Sequence, residues 1–380
     1  MVAGRHHRLG IHRMRRLTCA RCISSQPTPA KLPVLTNSRS LLEVRDRNNL
    51  QFGVRSGRVG NNNPEYRRNR MISALVGKAN AELTPVAAAA DCSAAKLAHS
   101  AGFVSFLETA FRRWETELHS DQSYVLPNTD GSIDVALVPF HCVKLNEPRS
   151  LGLSAEFACY ATDFETPIFD STAGVLREDL GVVSAAVDFT LGGTRAVYAL
   201  TTHPGHHAGP DYFSGFCYIN NASIAGALLE KAGQRPAVLD LDFHAGNGTF
   251  DIAQSTGRWF RSINCANAYP WVNMGASGIE LPPGTSWTAG YAAALEKVLG
   301  ELPRDADALI VSLGYDTLAS DPEAGKRAGM GLGLTSSDFA AMGKMLAHTG
   351  LPLLFVQEGG YDLEEVPNAF SELVHGVTSA

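Results

Sequence analysis

Asp240, Asp242 and His244 close a short apolar run, Pro236-Ala237-Val238-Leu239, and a glycine-rich turn follows at Gly246-Asn247-Gly248. An apolar run this short, broken at once by glycine, reads as a buried parallel strand running into a loop. Polar side chains at the end of such a strand are costly unless something pairs them, and a divalent cation is the most economical partner. Asp242 and His244 alternate with Phe243, so on an extended chain they point the same way. A carboxylate with an imidazole suits zinc, with iron, cobalt or manganese as other takers. The plainer alternative is a strand end that carries Asp and His into water. Asp316, at the end of a second apolar run, would complete an Asp-His-Asp set with a position open for water and substrate. Such an ion brings bound water to a pKa of about 7 and polarises a carbonyl.

Two further strand ends carry polar or glycine-rich residues. His206-His207 follows the run Arg195–Thr201, and Gly359-Gly360-Tyr361 follows Leu351–Gln357. Adjacent histidines point to opposite faces of a strand, but in a glycine-flanked loop both can line one pocket. There one imidazole can take the proton of an attacking water while the other stabilises charge. A second metal site or a solvated turn is the alternative for the pair. Gly359-Gly360 permits close backbone approach to a ligand, and Tyr361 could donate its hydroxyl to an oxyanion. A lone Gly-Gly-Tyr is otherwise a turn. The ends of parallel strands share one edge of a sheet, where ligands bind, so the convergence of these strand ends is stronger than any one motif.

The elements that must position these residues are legible as alternating periodicities. Helical spacing marks Arg70–Val76, Ala87–Ala95, Gly102–Leu118, Asp170–Thr190, Asn221–Ala232, Trp287–Leu299 and Ser337–His348 (Ser336 as N-cap), with a last helix after Leu363. Short apolar runs mark strands at Arg195–Thr201, 236–242, Ala308–Leu313 and Leu351–Gln357. From about residue 195 strand and helix alternate, which predicts an α/β fold with a parallel central sheet and helices on both faces. Residues 119–168, with Asn, Asp, Gly and Pro scattered through them, read as a long functional loop.

At 45% hydrophobic and 18% charged, the 380-residue chain can bury a large core. Its formal charge of -6 gives no drive toward nucleic acid. No apolar run is long enough to span a bilayer, and the odd count of 7 cysteines fits free thiols. Met1–Leu42 holds no Asp or Glu but has Arg5, Arg8, Arg13, Arg15, Arg16, Arg21, Lys31 and Arg39. That composition predicts a transit peptide to a mitochondrion or plastid. A basic tail on a cytoplasmic or nuclear protein is the alternative. Residues 1–60 are accordingly assigned to tail and linker and 61–380 to one catalytic domain. Cys19 and Cys22 form a C-x-x-C with no second pair to complete a structural zinc site.

In order along the chain stand P-G-H-H-A (204–208), G-F-C-Y-I-N-N (215–221), D-L-D-F-H (240–244), S-L-G-Y-D-T (312–317) and E-G-G-Y (358–361). Together they resemble the zinc-dependent deacetylase family, histone deacetylases and the related acetylpolyamine amidohydrolases, over about Pro64 to the C-terminus. The last two motifs are closer to the polyamine-type, class II-like branch. The resemblance implies the arginase/deacetylase fold and one zinc held by Asp242, His244 and Asp316. It implies His206 and His207 as acid/base histidines, with Asp240 orienting His206, Asn247 bound to His207, and Tyr361 stabilising the tetrahedral intermediate. Phe216 and Tyr269 would line an acyl-amine tunnel, and the Gly215 carbonyl would meet the substrate amide. The substrate would be acetyl-lysine in a protein or an acetylated polyamine, whose second ammonium Asp163 and Glu165 of the 119–168 loop could hold unless they are solvated loop carboxylates, with oligomeric state open.

The sequence departs from the family pattern at several positions. His203 replaces the usual Arg before the Pro-Gly-His-His run, Ala245 replaces a His that is not a ligand, and Asn63 replaces a His before Pro64-Glu65. Asn247 stands where class I enzymes carry Asp, and a neutral partner would raise the pKa of His207 less. A binuclear arginase-like hydrolase is the rival of the same fold, but Gly246 stands where its bridging Asp would be. A non-catalytic scaffold that keeps the pocket is the rival of another class.

Overall fold

The strand that carries Asp240 lies in the interior, third from one edge, of an eight-stranded sheet whose neighbours all run parallel. The structure is a computed structural model that describes residues 31–37, 71, 80–117, 123–127, 133–137, 152–164, 166–322, 324 and 331–380. The sheet strands are β1 (Leu32–Asn37), β2 (Ala81–Val86), β5 (Ala196–Ala199), β6 (Pro236–Asp240), β7 (Phe260–Cys265), β8 (Gly278–Leu281), β9 (Ala308–Leu313) and β10 (Leu353–Gln357). A separate antiparallel hairpin joins β3 (Ser123–Pro127) to β4 (Ile133–Leu137). The sheet order is β2-β1-β5-β10-β9-β6-β7-β8. The four motif-bearing strands β5, β10, β9 and β6 are therefore consecutive, and their carboxyl ends meet at one edge.

These strands read as unbroken apolar runs because both faces are covered. Along β6, Leu239 packs into one core with Leu309, Val311 and Phe355. Val238 faces the other way, into a core with Ile310, Leu354 and Val356. The first core is closed by α6 (Ala292–Gly300), α7 (Asp338–Ala347) and α8 (Val366–Thr378), through Leu295, Phe339, Met342, Phe370 and Leu373. The second is closed by α1 (Ala101–Glu117), α2 (Leu153–Tyr160), α3 (Thr172–Leu191) and α4 (Asn221–Lys231). The Phe103, Phe106 and Phe157 rings on α1 and α2 are core. Gly376 lets α8 approach α7, since a Cβ there would lie 2.2 Å from the Ala340 carbonyl oxygen.

The N-terminal assignment needs correction. Leu32–Asn37 falls inside the stretch 1–60 assigned to tail and linker, yet it is β1, paired with β2 on one side and β5 on the other. Leu32 and Val34 enter one core and Leu35 the other. Six residues after a basic, acid-free stretch carry too little pattern to stand out, and only the pairing partners identify the strand. Residues 1–30, with the transit-peptide and Cys19/Cys22 readings, lie outside the described residues, as do Asn63 and all of Arg70–Val76 except Met71.

Ala87–Ala95 is not a helix. Ala81–Val86 is a strand, and only Ser93–Leu97 forms a 3-10 turn. An isolated alanine run has weak helical drive, and here its backbone bonds α3 instead, Ala89 N–H donating to the Arg177 carbonyl at 2.8 Å. The long loop predicted over 119–168 contains the β3–β4 hairpin and α2, with Leu137 bridged to Ile168. Ser336 is not the cap of α7. Its hydroxyl donates to Glu365 at 2.6 Å.

A carboxylate at Val34, which is fully buried, would sit among the apolar side chains of the first core. Val34→Asp is expected to destabilise by about 3 kcal/mol or more, measured by denaturant titration. A Val34→Asp protein with wild-type stability would remove β1 from the sheet.

Candidate active site

The carboxyl ends of β5, β6, β9 and β10 frame a cleft of about 340 Å3 lined by His206, His207, Gly215, Phe216, Asp242, His244, Tyr269, Asp316 and Tyr361, with Thr162, Asp163, Phe164, Pro204, Trp271 and Gly359. Asp240 and Asn247, the other two residues singled out from sequence, stand behind the histidines instead of in the cleft wall. All eleven are thus brought together.

At the cleft floor, Asp242, His244 and Asp316 offer one donor atom each within 4.8 Å of one another. His244 Nδ1 is 3.2 Å from Asp242 Oδ1 and 3.1 Å from Asp316 Oδ2. Both aspartates are fully buried, and among the described residues no lysine or arginine lines the cleft. Burial alone would lower the His244 pKa, but its bonds to both carboxylates and their charge raise it to about 9. Burial, then the charge of Asp242, pushes Asp316 up to about 7 despite His244. A point that favours positive charge, ringed by two oxygen donors and one nitrogen donor, fits a divalent cation such as zinc. The remaining carboxylate oxygens are held by backbone: Asp242 Oδ2 accepts from Gly359 N–H at 2.8 Å and Asp316 Oδ1 from Phe243 N–H at 3.1 Å. These outer bonds fix the carboxylates before any ion arrives.

The tandem histidines differ in their partners. Their rings lie 4.0 Å apart. His206 Nδ1 meets Asp240 Oδ2 at 3.0 Å. Burial would lower its pKa, but the charges of Asp242, Asp240 and Glu358 raise it well above the ordinary imidazole value. His207 Nδ1 meets the neutral Asn247 side-chain oxygen at 2.7 Å. Burial, then the positive charge of His206 and His244, holds His207 well below that value. Neighbouring imidazoles with pKa values pushed apart are an acid and a base in the making.

Several residues not legible as functional in the sequence support this arrangement. Asn247 Nδ2 donates to the Tyr212 hydroxyl at 3.1 Å, which donates to Asp251 Oδ2 at 2.6 Å. Asn247 and Asp251 are both on α5 (Asn247–Thr256), and their i,i+4 spacing was the available signal. Glu358 Oε2 accepts from Gly205 N–H at 2.6 Å and His206 N–H at 3.1 Å, while Oε1 takes the Ser312 hydroxyl at 2.8 Å. His99 is held near pKa 4 by burial. Neutral, it donates from Nδ1 to the Gly209 carbonyl at 2.7 Å and accepts Asn220 N–H at Nε2 at 2.8 Å. His203, in place of the usual arginine, donates its backbone N–H to Asp179 Oδ2 at 3.1 Å, a tie that does not depend on the side chain.

The opposite wall is a tight turn. Gly215 and Phe216 both take positive φ, 56° and 67°. A Cβ at Gly215 would lie 2.4 Å from His207 Cδ2, so only glycine lets this wall close on the imidazole. Asp163 Oδ2 accepts Gly215 N–H, and Thr166 Oγ1 accepts Phe216 N–H at 2.9 Å. Asp163 also takes the Thr166 N–H at 3.0 Å and hydroxyl at 3.1 Å. Its oxygens are thus bonded to the wall, while the carboxylate still lines the cleft. Glu165 lies outside the described residues. The Gly215 carbonyl takes the Cys217 thiol at 3.4 Å. Tyr269 stacks edge-on to His207 at 5.0 Å and donates its hydroxyl to Ser214 at 3.0 Å. The Tyr361 ring stands 6.2 Å from Phe216 across the cleft, and its backbone N–H is held by Asp321 at 2.7 Å.

The family model described as Histone deacetylase domain matches residues 63–377. Acetylpolyamine amidohydrolase 1 of Pseudomonas aeruginosa is 33% identical over 294 residues, covering 70% of this chain and 78% of that protein. The acetylpolyamine amidohydrolase of Mycoplana ramosa is 33% identical over 296 residues, 73% of this chain and 81% of the relative. The crystal structure of an acetylpolyamine aminohydrolase from Burkholderia pseudomallei superposes with a TM-score of 0.74 at 26% identity, covering 91% of this chain and 98% of that one.

A Cβ at Gly359 would lie 2.4 Å from Asp316 Oδ2, and one at Gly314 2.0 Å from Asp242 Oδ2. Gly359→Ala is therefore expected to lower affinity for zinc by about tenfold or more while far-UV circular dichroism stays as in the wild type. Unchanged zinc affinity by competition with a chelating dye would take the ion away from Asp242 and Asp316.

Proposed function

The chain belongs to the histone deacetylase domain family and is an amidohydrolase that removes acetyl groups, and we propose that it does so with one zinc ion on acetylated alkylamines, acetylpolyamines foremost. The observation that carries this reading is the floor of the cleft. Two buried aspartates and a histidine converge there beside a histidine held neutral and another held cationic. A divalent ion held by Asp242, His244 and Asp316 would supply polarisation of the acyl carbonyl and an acidified water.

The chain's own groups do the rest. His207 keeps its Nδ1 proton on Asn247, which leaves Nε2 free of a proton and able to take one from the attacking water. His206, oriented by Asp240, carries positive charge beside it and returns a proton to the leaving nitrogen, alone or through His207. Tyr361 donates its hydroxyl to the acyl oxygen as charge develops there. Phe216 and Tyr269 flank the alkyl chain and exclude water. The products are acetate and a free amine.

Gly246 speaks against a binuclear, arginase-like site. A Cβ there would lie 2.0 Å from Asp240 Oδ2, so no bridging side chain fits. The scaffold reading is opposed by the completeness of the set. The names of the similar proteins favour the polyamine over acetyl-lysine.

On the zinc-loaded protein, kcat/KM for N-acetylputrescine and acetylspermidine is expected to exceed that for an acetyl-lysine peptide. The reverse order would make it a protein deacetylase. His207→Ala and Tyr361→Phe are each expected to lower kcat by about 100-fold or more, and near wild-type turnover in either would sink that assignment. His207 works as a base only when neutral, so activity is lost as pH falls through its pKa. Because that pKa is held low, the acid limb of kcat/KM is expected below the ordinary imidazole value of about 6.5. Asn247→Asp places a negative charge beside Nδ1–H, raises the His207 pKa and should move the limb to higher pH. A limb that stays put would exclude His207 as its origin.

A further inference from the structure

At the cleft mouth the chain exposes what it elsewhere hides. Among the described residues the exposed large hydrophobic side chains are Leu97, Phe164, Leu191 and Trp271, and two of them, Phe164 at 42% and Trp271 at 68%, line the same cleft. Trp271 is the most exposed of the four and is held there by its backbone. It takes φ 57°, in the left-handed region, a conformation that disfavours a bulky side chain. Its N–H is fixed by the Ala268 carbonyl at 3.0 Å. Strained backbone of this sort, at the rim of a catalytic cleft, is retained where it aims a side chain at a ligand.

The ring is also connected to the chemistry. Trp271 meets Tyr269 edge-on, centroids 5.6 Å apart, and Tyr269 meets His207 at 5.0 Å. One aromatic wall thus runs from the catalytic imidazole to solvent. No lysine or arginine among the described residues lines the cleft, and the charged side chain at the same mouth is Asp163. Its oxygens are committed to the Gly215–Phe216 turn, but its negative charge remains. A π face at a mouth that also carries an anion, and to which no described lysine or arginine side chain contributes, attracts an ammonium.

We propose that Trp271, with Phe164 beside the same mouth, is the specificity-determining platform for the part of the substrate that stays outside the tunnel, and that it selects an alkylamine bearing a second, positively charged nitrogen by cation–π contact. This rests on the deacetylase reading above and refines it. Selection for charge is assigned to the aromatic face, since the oxygens of Asp163 are already bonded to Gly215 and Thr166.

The test compares N-acetylputrescine with its neutral isostere N-pentylacetamide on wild type, Trp271→Tyr and Trp271→Leu. The quantity read is the ratio of kcat/KM for the charged over the neutral substrate. Wild type is expected to prefer the charged one. Trp271→Leu keeps apolar area but no π face, and should cut that ratio about three- to tenfold, through KM for the charged substrate. Trp271→Tyr should retain part of it. A purely structural role would lower both substrates together and leave the ratio unmoved, as would a greasy contact, and either result overturns the inference while the deacetylase reading stands. Wild-type protein that hydrolyses neither substrate overturns both.

Discussion

Buried negative charge at the carboxyl edge of the sheet is the constraint on which the rest of the structure depends. Asp240, Asp242, Asp316 and Glu358 are all fully buried at the ends of adjacent strands or just beyond them. Burial of an ionised carboxylate costs several kcal/mol unless it is paired and hydrogen-bonded. Among the described residues no lysine or arginine lines the cleft to pair them. The compensation comes from two imidazoles, His206 and His244, and from backbone N–H groups, and a cation held by the Asp242-His244-Asp316 set would add to it. The same concentration of charge separates the two tandem histidines. His206 faces the carboxylates and is driven cationic, and the charge of His206 then helps to keep His207 neutral. The proposed acid and base are thus set apart by one electrostatic field.

Such crowding leaves no room for side chains between the groups. At Gly246, Gly314 and Gly359 an added Cβ would strike a carboxylate oxygen within 2.4 Å. The glycine-rich character of the motifs is therefore a packing requirement of the charged cluster. Gly215 adds the same demand on the other side of the cleft, where the wall must press against His207.

Much of the catalytic edge was legible in the sequence, because short apolar runs ending in polar residues are local patterns. Strands β5, β6, β9 and β10 all lie within the expected runs, β9 with the same bounds and the others up to two residues shorter at an end. What local pattern could not carry was anything defined by a distant partner. Strand β1 is identified only by its register with β2 and β5. The alanine run at 87–90 has a helical composition, yet it is claimed by α3. Asp163 carries the charge expected of a rim acid, but its bonds to Gly215 and Thr166 turn it inward. Tyr212 and Asp251 gain meaning only when Asn247 is seen to lean on them.

Those inward-turned acids share a principle that the metal-centred view obscures. Each functional loop is tied down by a carboxylate from another part of the chain that accepts its backbone N–H groups. Asp179 holds Thr202 and His203, Glu358 holds Gly205 and His206, Asp163 holds Gly215, Asp242 holds Gly359 and Asp321 holds Tyr361. Backbone donors cannot change rotamer, so these ties fix the loops more firmly than side-chain pairs would. A charge-assisted bond is also roughly twice as strong as a neutral one. Acids in this chain therefore divide into a few that face the reaction and more that hold the loops around it. Counting carboxylates near a cleft would overstate the first class. What separates the classes is the identity of the donor each oxygen meets. Asp242 belongs to both, with one oxygen toward His244 and the other on Gly359 N–H, and this double attachment couples the floor of the cleft to the loop that carries Tyr361.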